Sequence, residues 1–231
     1  MQIYDRNGYQ IYRISTIRCK CYLICHEGKS VLIDTATPIE RRKITSAIKT
    51  YAKGRLDGIF LTHNHGDHAG NAQALSKKYG CRVYVSHLGS LNLLIGRPGI
   101  PKGLSPTGRF FERMATSLSK IYDVSLYEPC QNVHIISVDV VKEIIGEEVV
   151  VIDTPGHSRD SLSFVVCDDV ALVGDIMGKG IVSMFPIFGE DEEIIIRSWL
   201  QLLDTKCQYF APSHTRIITR EMLEKQLEKE R

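Results

Sequence analysis

The stretch Thr62-His63-Asn64-His65-Gly66-Asp67-His68 places four side chains able to bind a metal within six residues. Imidazole nitrogens suit zinc and iron, and a carboxylate completes a borderline-soft donor set. In extended chain, alternate residues point the same way, so His63 and His65 can grip one ion together. Gly66 is expected to let the backbone turn sharply, leaving Asp67 and His68 to face a second position. Three further segments each carry one donor just past an apolar run: Thr154-Pro155-Gly156-His157, Gly174-Asp175 and Pro212-Ser213-His214-Thr215. The chain holds 8 histidines, and only His26, His87 and His134 fall outside these four segments.

The elements that must position these donors read as follows. Gln10–Ile14, Cys19–Cys25 and Ser30–Asp34 are short, β-branched apolar runs and are expected strands, the last two forming a hairpin across Gly28. Pro38 to Tyr51 carries Ile39, Ile44, Ala47 and Ile48 at helical spacing and should end at Gly54. Gly58–Leu61 is an expected strand, Thr62–His68 a loop, Ala69–Tyr79 a helix stopped by Gly80, and Arg82–Val85 a strand. The histidine loop therefore sits at the carboxyl end of a strand, where layered α/β sheets place their sites.

From Leu88 to Cys130 this rhythm breaks. Seven Gly and Pro residues crowd between Gly96 and Gly108, and one helix is expected over Phe110 to Lys120. A long irregular insertion of this kind is read as a lid or recognition segment. Beyond it, Val133–Ser137, Val140–Ile145, Val149–Asp153, Leu162–Cys167, Val170–Gly174 and Tyr209–Ala211 are expected strands. Asp191–Leu203 is an expected helix, and Thr219 should cap another that runs to Arg231.

The 231 residues are 43% hydrophobic and 24% charged, a globular balance that excludes a disordered tail or a disulfide miniprotein. The net charge of +2 sets up no field that demands nucleic acid or a membrane surface. No apolar run is long enough to span a bilayer, and Met1 to Asn7 lack a signal-peptide core. Seven irregularly spaced cysteines fit a reduced, cytoplasmic protein. Cys19, Cys21 and Cys25 share one strand face and are expected to be buried as small hydrophobes. No linker stands out, so residues 1–231 are read as one domain with an insertion at about 88–130.

The order His-x-His-x-Asp-His, Gly-His, Gly-Asp and a final His resembles the metallo-β-lactamase superfamily, over most of the chain from Leu32-Ile33-Asp34-Thr35 to Ser213-His214. The resemblance implies an α+β fold, a four-layer αββα sandwich with a dinuclear metal site along one edge of its sheets. It implies that His63, His65 and His157 hold one metal, that Asp67, His68 and His214 hold the other, and that Asp175 bridges them. Asp34 would stand behind the ligands and orient them. Where the family usually continues that motif with Gly, this chain has Ala36. The carboxylate at Asp175 is the mark of the glyoxalase II, lactonase and phosphodiesterase branches rather than of the true β-lactamases.

The chemistry so implied is hydrolysis of an ester, thioester or lactone in a small-molecule substrate, by a hydroxide shared between two divalent ions. Zinc is the first expectation for those ions, and iron or manganese fits the same donors. Asp67 is the candidate catalytic residue, orienting the nucleophile and shuttling its proton. Met184, Phe185 and Phe188, in the loop Ile176–Gly189, and Arg216 are candidate substrate contacts. Glyoxalase II draws its glutathione contacts from a C-terminal helical extension, whereas only one short helix follows Thr219 here. Alternative readings are a phosphodiesterase or nuclease, an iron persulfide dioxygenase using His63, His157 and Asp175, and a metal-bound regulatory protein of low turnover. Nucleic acid is disfavoured as a partner because Arg97, Lys102, Arg109, Arg113 and Lys120 are spread out without interleaved aromatics. The oligomeric state stays open, with a homodimer among the options.

Overall fold

A computed structural model describes residues 1–119, 127–178 and 183–230. Among these, two sheets pack face to face. The larger is built, in spatial order, from β1 (Gln2–Arg6), β2 (Tyr9–Ser15), β3 (Lys20–His26), β4 (Lys29–Ile33), β5 (Gly58–Phe60), β6 (Arg82–Val85) and β7 (Val133–Ile135). The smaller runs β12 (Ile218–Thr219), β11 (Tyr209–Pro212), β10 (Val170–Gly174), β9 (Leu162–Val166), β8 (Val149–Asp153).

Side-chain alternation explains the layers. In β3, Cys21 and Leu23 face outward onto α1 (Arg41–Tyr51) and α3 (Ala72–Tyr79), joining Ile44, Ile48 and Leu75. Tyr22 and Ile24 face the other way, into a core between the sheets with Phe60, Phe164 and Leu172. In β9 and β10 the odd-numbered partners Val165, Ala171 and Val173 meet α7 (Glu192–Asp204) and α8 (Arg220–Lys229) through Ile195, Trp199, Leu202 and Leu223. Strands buried on both faces must read as continuous apolar runs, and these do. The result is the expected αββα sandwich.

Two pairings set the site. β4 and β5 run parallel with Ile33 opposite Phe60, so Asp34 and the residues after Leu61 leave the sheet side by side. β10 and β11 run parallel with Gly174 opposite Pro212, so Asp175 and His214 do the same. Gly174 turns with φ +53, and its bare Cα lies against Thr62, where a Cβ would sit 2.8 Å from that side chain.

Several local expectations change. Val138–Ile145 is a helix (α6), not a strand: Ser137 Oγ accepts from Val140 N as an N-cap, and Val141 and Ile145 are buried one turn apart. The segment holds more β-branched side chains than most helices, which is what made it read as a strand. Gly66 turns the chain without a positive φ. It opens the short helix α2 (Gly66–Ala69), which carries Asp67 and His68. Among its described residues the insertion holds two helices, α4 (His87–Ile95) and α5 (Pro106–Ser119), where one was expected. Lys120, the expected end of that helix, and Arg231, the expected end of α8, lie outside the described residues, as do residues 179–182 of the loop before Gly189. No helix among the described residues is long and apolar enough to cross a membrane. All seven cysteines are free, with Cys19 and Cys21 buried and Cys25 partly so.

Candidate metal centre

The four motifs meet at one end of the sandwich. His63, His65 and His157 form one group whose ligand-type atoms all lie within 4.8 Å of one another. Asp67, His68 and His214 form a second group, and His63, His68 and Asp175 a third that overlaps both. His157 Nε2 faces His65 Nδ1 at 3.0 Å. Asp175 stands between the groups, with Oδ2 2.9 Å from His214 Nε2 and 3.7 Å from His157 Nε2, and Oδ1 3.4 Å from His68 Nε2. Asp67 Oδ2 lies 3.4 Å from His214 Nε2.

The second ring nitrogens are anchored. His68 Nδ1 donates to Asp34 Oδ2 at 2.8 Å. His157 Nδ1 donates to the Phe188 carbonyl at 2.9 Å. Thr62 Oγ1 lies 3.0 Å from His63 Nδ1 and donates to Asp34 Oδ2 at 2.8 Å, while Thr62 N donates to Asp34 Oδ1 at 2.8 Å. Such contacts fix which nitrogen of each ring faces the cluster. Asp34 itself is held at φ +62 and Ala36 at φ +53, so a left-handed backbone delivers the carboxylate, and Ala36 occupies a conformation that Gly adopts without strain.

The electrostatics are those of a crowded donor set. Burial, then the neighbouring imidazoles of His68, His65 and His157, push the His63 pKa well below the usual histidine value, and His65 follows the same direction. Burial also opposes protonation of His68, but the Asp175, Asp34 and Asp67 carboxylates outweigh it and hold its pKa well above normal. His214 rises to about 9, burial being overcome by Asp175. Burial would raise Asp175, yet His68 and His214 hold it well below the usual carboxylate range. His63 Nε2, His68 Nε2 and Asp175 Oδ1 are buried without a hydrogen-bond partner in the protein. Buried polar atoms are rarely left so, and a cation among them would satisfy all three.

Beside His65 and His157 opens a cleft of about 680 Å³. Leu88, Asn92, Pro98, Ile100 and Pro101 of the insertion line it. Of the expected substrate contacts, Met184 is buried in the core under α7, and the Phe185 ring lies tilted against Trp199 with centroids 4.8 Å apart. Phe188 contributes its carbonyl to His157, and Arg216 is exposed. Sequence reading assigned no role to Thr62, which joins the histidine loop to Asp34, or to Tyr127 and Asp160, which hydrogen-bond the loop at Asn64. It also missed Lys20, whose Nζ donates to the Thr215 carbonyl at 2.6 Å beside His214. Thr62, next to the motif, could have been found by its hydroxyl. The others carry no sequence signal.

Residues 16–214 match the family described as the metallo-beta-lactamase superfamily. An uncharacterised protein of Mycobacterium leprae is 27% identical over 81% of this chain and 81% of its own length. A hydroxyacylglutathione hydrolase of Rhodopseudomonas palustris is 32% identical over 51% of this chain, which spans only 32% of that enzyme. Among solved structures, an archaeal metallo-beta-lactamase superfamily protein from Sulfolobus tokodaii superposes with a TM-score of 0.62 at 20% identity, over 97% of this chain and 86% of its own.

Proposed function

Because this chain belongs to the metallo-beta-lactamase superfamily, we propose that it is a metal-dependent hydrolase acting on an ester, thioester or lactone bond of a small molecule. The observation that carries the reading is the convergence of seven donors, three of whose buried polar atoms have no hydrogen-bond partner. His63, His65 and His157 would hold one divalent ion, and Asp67, His68 and His214 the other, with Asp175 between them. Zinc, or iron or manganese on the same donors, would supply an acidified water and a Lewis acid for the substrate oxygen.

The chain's own groups do the rest. Asp67 is 29% exposed at its side chain, against 9% for Asp175 and 1% for Asp34. It is the carboxylate of the cluster open to solvent, and so the one placed to accept a proton and return it to a leaving group. The cleft beside His65 and His157 is of small-molecule size, which supports a small substrate held by the inserted segment. Its wall mixes apolar Leu88 and Ile100 with polar Asn92 and the charged side chains of Lys102, Arg159 and Glu190.

The test is metal content per chain in protein purified without chelator, followed by a panel of esters, lactones and thioesters that includes a glutathione thioester. Two zinc ions and hydrolysis abolished by chelator support the reading. A single iron with oxygen uptake on a persulfide would overturn it.

A further inference from the structure

Asn64 lies between His63 and His65, and its peptide groups are gripped on both sides. Its N–H donates to Asp160 Oδ2 at 3.0 Å. Its carbonyl accepts from the Tyr127 hydroxyl at 3.0 Å. All three residues are buried, at 4% exposure for Asn64, 6% for Asp160 and 7% for Tyr127. Neither gripping side chain belongs to the donor groups. Asp160 follows His157 by three residues, and Tyr127 comes from the far end of the inserted segment. Gly89 of α4 closes over the same spot: a Cβ there would run into Asp160 Oδ2 and lie 3.2 Å from Asn64 Nδ2.

One hydrogen bond would leave this stretch free to swing. Two, on the N–H and on the C=O of one residue, fix how the backbone passes from His63 to His65. The two imidazoles must meet His157, whose Nε2 is already 3.0 Å from His65 Nδ1, so small rotations of this backbone would part them. Supporting contacts of this kind are usually traced to ligand side chains. Here the support acts on the backbone between two ligands.

We propose that Tyr127 and Asp160 are positioning residues for the ion held by His63, His65 and His157, forming a clamp that ties the inserted segment to the metal loop. The inference rests on the metal-site reading above. A merely structural role would cost stability and leave metal affinity untouched.

The experiment measures stepwise zinc affinity of the full chain by competition with a chromophoric chelator. It uses wild type, Tyr127→Phe, Asp160→Ala, Asp160→Asn and Tyr9→Phe, with circular dichroism as the check on folding. Tyr9 is a buried tyrosine whose hydroxyl accepts from Glu148 N in the core between the sheets, remote from the donors. Tyr127→Phe and Asp160→Ala are expected to weaken one of the two binding steps about 10- to 100-fold. Asp160→Asn, which keeps an acceptor oxygen, should recover most of that loss, and Tyr9→Phe should bind as wild type does. Cobalt substituted for zinc should show altered absorption at one site only. Wild-type affinity in both Tyr127→Phe and Asp160→Ala, or an equal loss in Tyr9→Phe, would overturn the clamp. A wild-type chain that takes up no zinc would overturn the metal site and the clamp with it. Should Asp160→Ala not fold, Tyr127→Phe decides alone.

Discussion

Asp34 Oδ2 accepts the His68 Nδ1 proton at 2.8 Å and the Thr62 hydroxyl at the same distance, so one buried carboxylate orients a candidate ligand and the strand end from which the histidine loop departs. Asp34→Ala strips a partner from three buried donors, the Thr62 N–H among them. Each orphaned donor costs about 1–3 kcal/mol. The variant should lose several degrees in Tm, and zinc affinity should fall about 10- to 100-fold. Calorimetry with and without zinc checks both, and a metal affinity equal to wild type would contradict the orienting role.

Asp67 is the solvent-open carboxylate of the cluster. Asp67→Ala should lower kcat by about 10²- to 10⁴-fold on any substrate the wild type turns over, the usual worth of a positioned proton carrier. Steady-state kinetics on metal-replete protein decides it. Turnover at the wild-type rate would assign proton transfer elsewhere.

The pH response should differ in sign between metal-free and zinc-loaded chains. His214 is lifted from 6.5 to about 9 by Asp175, and His68 is raised by Asp175, Asp34 and Asp67 against the pull of burial. Groups raised in this way contribute stability in full below pH 6.5 and lose it as pH climbs through the folded value. His63 and His65 are depressed by burial and by neighbouring imidazoles, so they destabilise the fold as pH drops below 6.5. The metal-free Tm should therefore decline from pH 6.5 to 9 and also on the acid side. Zinc competes with protons for His68 and His214, so its affinity should climb across that same alkaline window. Parallel Tm curves with and without zinc would refute this.

Trp199, the single tryptophan, donates Nε1 to the Ile176 carbonyl at 2.9 Å, immediately after Asp175. Trp199→Phe leaves that carbonyl unpaired and opens space under the small sheet. The expected loss is about 2–4 kcal/mol, read as a shift of the urea midpoint. A change below about 1 kcal/mol would show that this contact holds nothing in place.

Much of this was legible in the chain itself. His63, His65, Asp67 and His68 fall within six consecutive residues, so their chemistry needs no tertiary knowledge to be suspected. His157, Asp175 and His214 announce themselves by following apolar runs. Parallel pairing at Ile33–Phe60 brings Asp34 beside the histidine loop, pairing at Gly174–Pro212 brings Asp175 beside His214, and β8 ends on the same side because it and β10 both run antiparallel to β9. Val138–Ile145 misled because β-branched residues and a helical cap compete, and the Ser137 cap won. Of the insertion's helices, α5 was expected from Phe110 and begins at Pro106, whereas α4 went unread because the run of Gly and Pro that starts at its Gly96 end reads as irregular chain. Asp160 and Tyr127 were invisible because each acts on a backbone group 63 or more residues away, a relation with no local trace.

The larger sheet is drawn wholly from residues 2–135 and the smaller from residues 149–219. His63, His65, Asp67 and His68 come with the first half of the chain, and His157, Asp175 and His214 with the second. Each of the two ions proposed above would straddle a seam in the polypeptide, with its ligands divided between two consecutive lengths of chain. A cation seated there would act as a rivet between halves, and a chain cut near Gly146 should reassemble from its two fragments only when that rivet is supplied.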